Sequence, residues 1–189
     1  FAIYNSPHLA TKSKELAIAT DEQKEKIKAQ LPYITPKGTF SYRNNASIKT
    51  YNSTLLPLDI DNLKSIDEAR EVQWILSEQM GCVLSVVSPR GKGVKALFYL
   101  GSEIEMENHY TILKEGIPQI AKHLDIEQWE SNIDANQFKL CQPFFIGYSE
   151  HSFFNGNANP TRWHIENIPK KIIEHKPPLT INYTPSTTS

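Results

Sequence analysis

The chain has 189 residues, 39% of them hydrophobic and 22% charged, with a formal net charge of −1 at pH 7. That length suits one good core better than two, and the balance is ordinary for a globular domain. It excludes a global basic field, so any polyanion site must be local. No apolar run approaches the roughly 18 residues a membrane span requires, and no signal peptide is visible, so the expected compartment is the cytoplasm.

In chain order, residues 21–31 read as a charged helix capped by Thr20 or Asp21 and ended by Pro32. Pro36-Lys37-Gly38-Thr39-Phe40 is a turn leading into a strand-like segment that carries Arg43. Residues 55–60 are a short apolar run, read as a buried strand. Ser65-Ile66-Asp67-Glu68 has capping-box spacing, and Ala69, Val72, Leu76 and Met80 follow at helical intervals with Gly81 as the stop. Cys82 to Val87 and Val94 to Leu100 are strands joined by the Ser88–Gly93 loop. Tyr110, Leu113, Ile117, Ile120 and Leu124 form a second helical stripe, kinked or restarted at Pro118. A strand-rich stretch spans about 137–149, and after Pro160 the chain becomes proline-bearing and mixed. The order helix, strand, helix, hairpin, helix, strand predicts an α+β (α/β mixed) fold, a mixed sheet with packed helices.

The most informative text is Leu58-Asp59-Ile60-Asp61. Residues two apart on a strand share a face, so Asp59 and Asp61 project together while Ile60 packs behind them. Such an oxygen pair suits a hard divalent cation whose remaining ligands come from substrate phosphates. The same pair also occurs as ordinary acids at a strand end. In Ser88-Pro89-Arg90-Gly91-Lys92-Gly93-Val94-Lys95, the glycines permit close backbone approach, and Arg90, Lys92 and Lys95 supply three cations with no acid among them. Phosphate binding and a plain solvated hairpin turn both fit this composition. It is not a Walker A loop. Asp134 offers a third carboxylate or a turn cap, and Lys139 follows it with another cation.

Cys82 and Cys141 belong to no Cys-x-x-Cys pair, which argues against a zinc site and for buried free thiols. The six histidines show no metal-ligand spacing, and no serine or cysteine nucleophile motif stands out. The aromatics Phe144, Phe145, Tyr148, Phe153 and Phe154 fit core packing or base stacking in a single-stranded channel.

Taken as an ordered set, Asp-x-Asp after a strand, Ser-Pro-x-Gly-Lys-Gly-x-Lys opening a strand, and an aspartate before another strand resemble the archaeo-eukaryotic primase superfamily. The closer likeness is to the primase-like N-terminal domain of Bacteroidetes mobile-element proteins, often joined to virulence-associated-E-type helicases. It covers roughly residues 25–160 and includes Leu31 to Phe40 and the stretch from Asn132 to Asn157.

The resemblance implies a primase-polymerase with an RRM-like palm, a catalytic domain over residues 1–160, and an extension and linker over 161–189. Asp59, Asp61 and Asp134 would be catalytic and hold Mg²⁺ or Mn²⁺. Ser88, Arg90, Lys92, Lys95 and Lys139 would bind the nucleoside triphosphate, with single-stranded DNA as template and a helicase module in the same or a neighbouring chain. Lys95 stands where a catalytic primase usually has histidine, and Lys139 where the closer family often has arginine. These departures leave open a nucleic-acid- or nucleotide-binding module that does not polymerise. A two-metal nuclease is the third reading.

Overall fold

The structure is a computed structural model that describes residues 6–51, 54–79, 82–101 and 132–158. It opens with α1 (Pro7–Ile18), whose proline sits in the first turn, where a missing N–H costs nothing. α2 (Asp21–Lys28) follows after a two-residue break. Gln23 Oε1 accepts the Thr20 N–H at 3.2 Å, acids fill the first turn and lysines the last, as the helix dipole favours. Then come β1 (Tyr33–Ile34), β2 (Gly38–Phe40), a 3-10 turn (Asn45–Ser47) and β3 (Ile48–Tyr51). Arg43 lies on the tip between β2 and β3 and not in a strand.

β4 (Leu55–Ile60) matches the apolar run residue for residue. α3 (Ile66–Trp74) starts at Ser65, whose hydroxyl accepts from Glu68 N at 3.2 Å, and continues into a π-helical turn (Ile75–Gln79). Glu68 reaches back one residue further than a capping box requires, to Lys64 N. β5 (Leu84–Val87), β6 (Val94–Tyr99), a 3-10 turn (Ala135–Phe138), β7 (Phe144–Phe145) and β8 (Ser152–Phe154) complete the described elements. The helix expected from Tyr110 to Leu124 and the extension over 161–189 lie outside the described residues.

Four strands form one sheet in the order β4-β6-β5-β8, while β1–β7 and β2–β3 are separate two-stranded ribbons. The class is α+β, as the alternation of elements predicts. Every described pairing is antiparallel, whereas a mixed sheet was the expectation. For β5 and β6 the physical reason is their short connection, which can only reverse the chain. The stretch at 137–149 yields only β7, because a 3-10 turn runs through Phe138 and Pro143 has no N–H to give a ladder. The strand that completes the sheet is β8, further along.

One face of the sheet presents Leu56, Leu58, Ile60, Val94, Ala96 and Phe98 to Ala69, Val72 and Leu76. Each fully buried side chain of this kind contributes about 1.5–3 kcal/mol. The other face packs Leu84, Val86 and Leu97 against Phe144. A third cluster, Leu9, Leu16, Leu31 and Ile146, seats the N-terminal helices. At the sheet's far edge the His151 carbonyl accepts from Gln73 Nε2 at 2.9 Å, Val87 N at 3.0 Å and Ser149 Oγ at 3.0 Å. Among the described residues no helix is long and apolar enough to cross a membrane.

Candidate metal and phosphate site

Strand alternation fixes the first element of the site. Leu58 and Ile60 point into the α3 core, so Asp59 takes the opposite face, directly across from Lys95 on β6. The Lys95 ammonium is bonded to Asp59 Oδ2 and stands 5.9 Å from the centre of the Phe144 ring. Asp59 Oδ1 is buried and has no hydrogen-bond partner, a costly arrangement for a carboxylate oxygen. Asp61 leaves the end of β4, and Asn62 turns the chain with φ at 59°.

Asp61 meets the glycine loop. A Cβ placed on Gly93 would lie 2.8 Å from the Ile60 carbonyl, 2.9 Å from Asp61 Oδ1 and 3.4 Å from Ser88 Oγ. Only glycine lets the Asp61 carboxylate and the Ser88 hydroxyl flank the loop this closely. The loop is closed by Ser88 N to Gly93 O and Gly91 N to Ser88 O, each 2.8 Å. Gly91 takes φ of 70°, which L residues adopt only with strain.

Residues 132–134 run beside the end of β4. Ile133 bridges Ile60, and Asp134 N bonds Asp59 O at 3.2 Å. Asp134 Oδ1 accepts from Asn136 N and from Asn136 Nδ2, both at 2.9 Å, and so caps the 3-10 turn. The Asp61 carboxyl is held above the ordinary carboxylate range, first by desolvation and then by the charge of Asp59, with Asp134 adding to the rise and Lys95 and Lys28 opposing it. Asp61 as a whole remains exposed, which limits the desolvation and leaves the neighbouring charges as the durable part of the effect. Among the described residues no group of three or more His, Cys, Asp or Glu is arranged to hold a metal ion.

Over residues 26–154 the chain matches the family model described as BT4734-like, N-terminal domain. The chain belongs to that family. No curated protein and no solved structure matches it. The match takes in Asp59, Asp61, the 88–95 loop and Asp134, and it starts within α2.

Within this BT4734-like domain, Asp59, Asp61, Ser88 and Lys95 converge at one end of the β4–β6–β5 sheet, with Asp134 alongside. The other predicted residues do not join them so closely. Arg90 donates to the Ala19 carbonyl at 2.6 Å and lies 3.4 Å from Asp21, so it fastens the loop to the α1–α2 junction. Lys92 is exposed, and its carbonyl accepts from Leu63 N at 3.0 Å. Lys139 is exposed and bonds Asn136 Oδ1 at 2.8 Å.

Three residues at the site were not anticipated. Gln137 is buried and accepts the Asp59 N–H through Oε1 at 3.0 Å, leaving its Nε2 without a partner. Lys37 is 2% exposed and donates to the carbonyls of Gln137 and of Lys139, the latter at 3.0 Å. Burial lowers its pKa to about 8, against a raising effect from Cys141. Lys28, at the end of α2, acts electrostatically on Asp61. A lysine beside Pro36 and Gly38 reads as a surface turn residue, and no local signal marks it otherwise. Lys28 carried the one available hint, as part of the cationic last turn of a helix.

Proposed function

We propose that this BT4734-like domain is a nucleotidyltransferase of the primase-polymerase kind, extending primers or initiating them from nucleoside triphosphates on a single-stranded DNA template. The observation that carries the reading is the meeting of Asp59 and Asp61 with the Ser88–Gly93 loop. Asp59 brings an unpartnered buried oxygen, and Asp61 a carboxyl held up by desolvation and by its acidic neighbours. Both features suit a divalent cation, Mg²⁺ or Mn²⁺, bound by two carboxylates, with substrate phosphates and water completing the shell. The bound ion would supply charge neutralisation and alignment of the phosphoryl group.

The chain's own residues would do the rest. Ser88 Oγ and the loop amides would hold triphosphate oxygens, and Lys92, exposed beside them, would add charge. Lys95 would move from Asp59 toward the phosphates when the cation arrives, since one carboxylate oxygen cannot serve both equally. Gln137 would keep Asp59 in place through its backbone N–H. A helicase module in the same or a neighbouring chain would deliver the single strand.

The Lys95–Asp59 bond favours a second reading, a nucleotide- or nucleic-acid-binding domain that does not polymerise, because it neutralises one of the two acids internally. The test incubates the domain with single-stranded template, labelled nucleotides and Mg²⁺ or Mn²⁺, with and without primer. Metal-dependent product that disappears in Asp59→Asn and Asp61→Asn supports polymerisation. Absence of product, with nucleotide or DNA binding retained, assigns the binding role.

A further inference from the structure

The acids and bases of this nearly neutral chain are unevenly distributed. Residues 26–58 contain no Asp or Glu, yet include Lys26, Lys28, Lys37, Arg43 and Lys49. Lys37 is buried and serves the 137–139 segment; the other four are surface cations. Residues 79–102 are likewise free of acids and carry Arg90, Lys92 and Lys95. Three of these cations already face an acid, Lys28 with Glu25, Arg90 with Asp21 and Lys95 with Asp59, so any positive surface on this chain of net charge −1 is local and rests on the others.

The β2–β3 hairpin carries two of them, Arg43 and Lys49. Residues 41–46 at its tip are all exposed, as are Lys49 and Thr50 on β3. Tyr42 shows 76% of its surface to solvent. Neither the Arg43 nor the Lys49 side chain makes a hydrogen bond or ion pair among the described residues. A single exposed aromatic is ordinary on any protein. This one stands beside an arginine with no acid for many residues on either side, and every base offers a face to such a pair.

The hairpin is also tied to the segment flanking Asp59. At its base, Lys37 holds the carbonyls of Gln137 and Lys139. At its tip, Asn45 Oδ1 accepts from Cys141 N at 3.1 Å. That segment carries exposed Lys139 and joins β4 through Asp134 N and Asp59 O. A polyanion lying on the hairpin would thus have a cationic route toward the site.

We propose that the β2–β3 hairpin is a single-stranded nucleic-acid-binding element in which Tyr42 stacks on a base and Arg43 and Lys49 hold the adjoining phosphates. It rests on the nucleotidyl-transfer reading only for the strand's path past Asp59, and not for the binding itself. Stacking requires unpaired bases, so a duplex is the wrong ligand.

The experiment measures fluorescence anisotropy of labelled oligodeoxythymidylate and oligouridylate with the whole chain, in EDTA and without nucleotide, over a series of salt concentrations. The tighter of the two polymers identifies the strand as DNA or RNA. Tyr42→Ala is expected to weaken binding to it about 5- to 150-fold, the range of a lost base stack. Arg43→Glu and Lys49→Glu are each expected to weaken it and flatten the salt slope by about one unit. Thermal melting of all three should match the parent, since their side chains are exposed. Because the assay runs in EDTA and without nucleotide, it reads strand binding alone, which separates this test from polymerase activity. Undiminished affinity in the hairpin variants, no binding of either polymer by the parent, or equal affinity for a duplex would overturn the proposal.

Discussion

Asp59 and Lys95 face one another across antiparallel strands, and the lysine ammonium occupies one oxygen of the carboxylate at the centre of the candidate site. The pair is partly buried, with side-chain exposures of 26% for Lys95 and 16% for Asp59. Lys95→Met removes a competitor for the carboxylate, so Mn²⁺ affinity without nucleotide, read by electron paramagnetic resonance, should rise several-fold. The metal-free variant should be less stable by on the order of 2 kcal/mol, between the values for surface and buried pairs. Added Mn²⁺ should restore much of that loss in a melting experiment. An unchanged affinity would show that Lys95 and the cation do not share Asp59.

The two loop glycines should fail in different ways. At Gly93 a methyl group collides with the Ile60 carbonyl and the Asp61 carboxylate. Gly93→Ala should therefore displace Asp61 and lower the proposed nucleotide incorporation about a hundredfold, the scale of a 1 Å misplacement at a reacting centre. At Gly91 the cost is backbone strain at φ of 70° and contact with Ile66 from 3.1 Å. Gly91→Ala should lose about 1–2 kcal/mol of stability while the folded fraction keeps whatever incorporation the parent shows. Melting curves and single-turnover assays on both variants separate the two effects.

Arg70 donates to His151 Nε2, from its Nε at 3.1 Å and also from Nη2. A nitrogen accepting from a guanidinium must be unprotonated. The histidine pKa is accordingly lowered, first by desolvation and then by Arg70, with Glu150 opposing. The unfolded chain thus binds the proton more readily, and stability is present above the ordinary value of 6.5 and lost as pH falls below it. The melting temperature should drop between about pH 7 and about pH 5. His151→Gln, whose amide oxygen can also accept from Arg70, should remove part of that drop.

Lys37→Met should be among the most damaging changes in the hairpin region. It leaves the Gln137 and Lys139 carbonyls without their donor, at about 1–3 kcal/mol for each carbonyl left unsatisfied. Because the folded pKa is about 8 against an ordinary 10.5, the folded chain releases this proton first. The parent should gain stability as pH rises between those values, and the gap to Lys37→Met should widen. Denaturant titrations at neutral and alkaline pH would show it.

Local rules made some of this architecture legible and missed the rest for identifiable reasons. β4, the β5–β6 hairpin and the Ser65 cap depend on neighbours in sequence, and they appear where patterning places them. The convergence of Asp59, Asp61 and Ser88 follows from strand alternation and a short loop. Arg90 reads as a phosphate ligand because its neighbours are Gly91 and Lys92, yet its partners Ala19 and Asp21 lie far away in the chain. α1 was invisible because its apolar residues Leu9 and Leu16 bury in a cluster with residues distant in sequence, Leu31 and Ile146 among them. Lys37 escaped notice because charge and a proline–glycine context both predict exposure, and only a fold-level contact with 137–139 overrides them.

The three donors gathered on the His151 carbonyl fasten the edge strand through an atom that every amino acid possesses. Replacing the side chain at position 151 cannot remove that anchor. The position is therefore free to change its response to acid without the sheet coming apart. Gln73 and Ser149 lack that latitude, since each contributes to the anchor through its side chain.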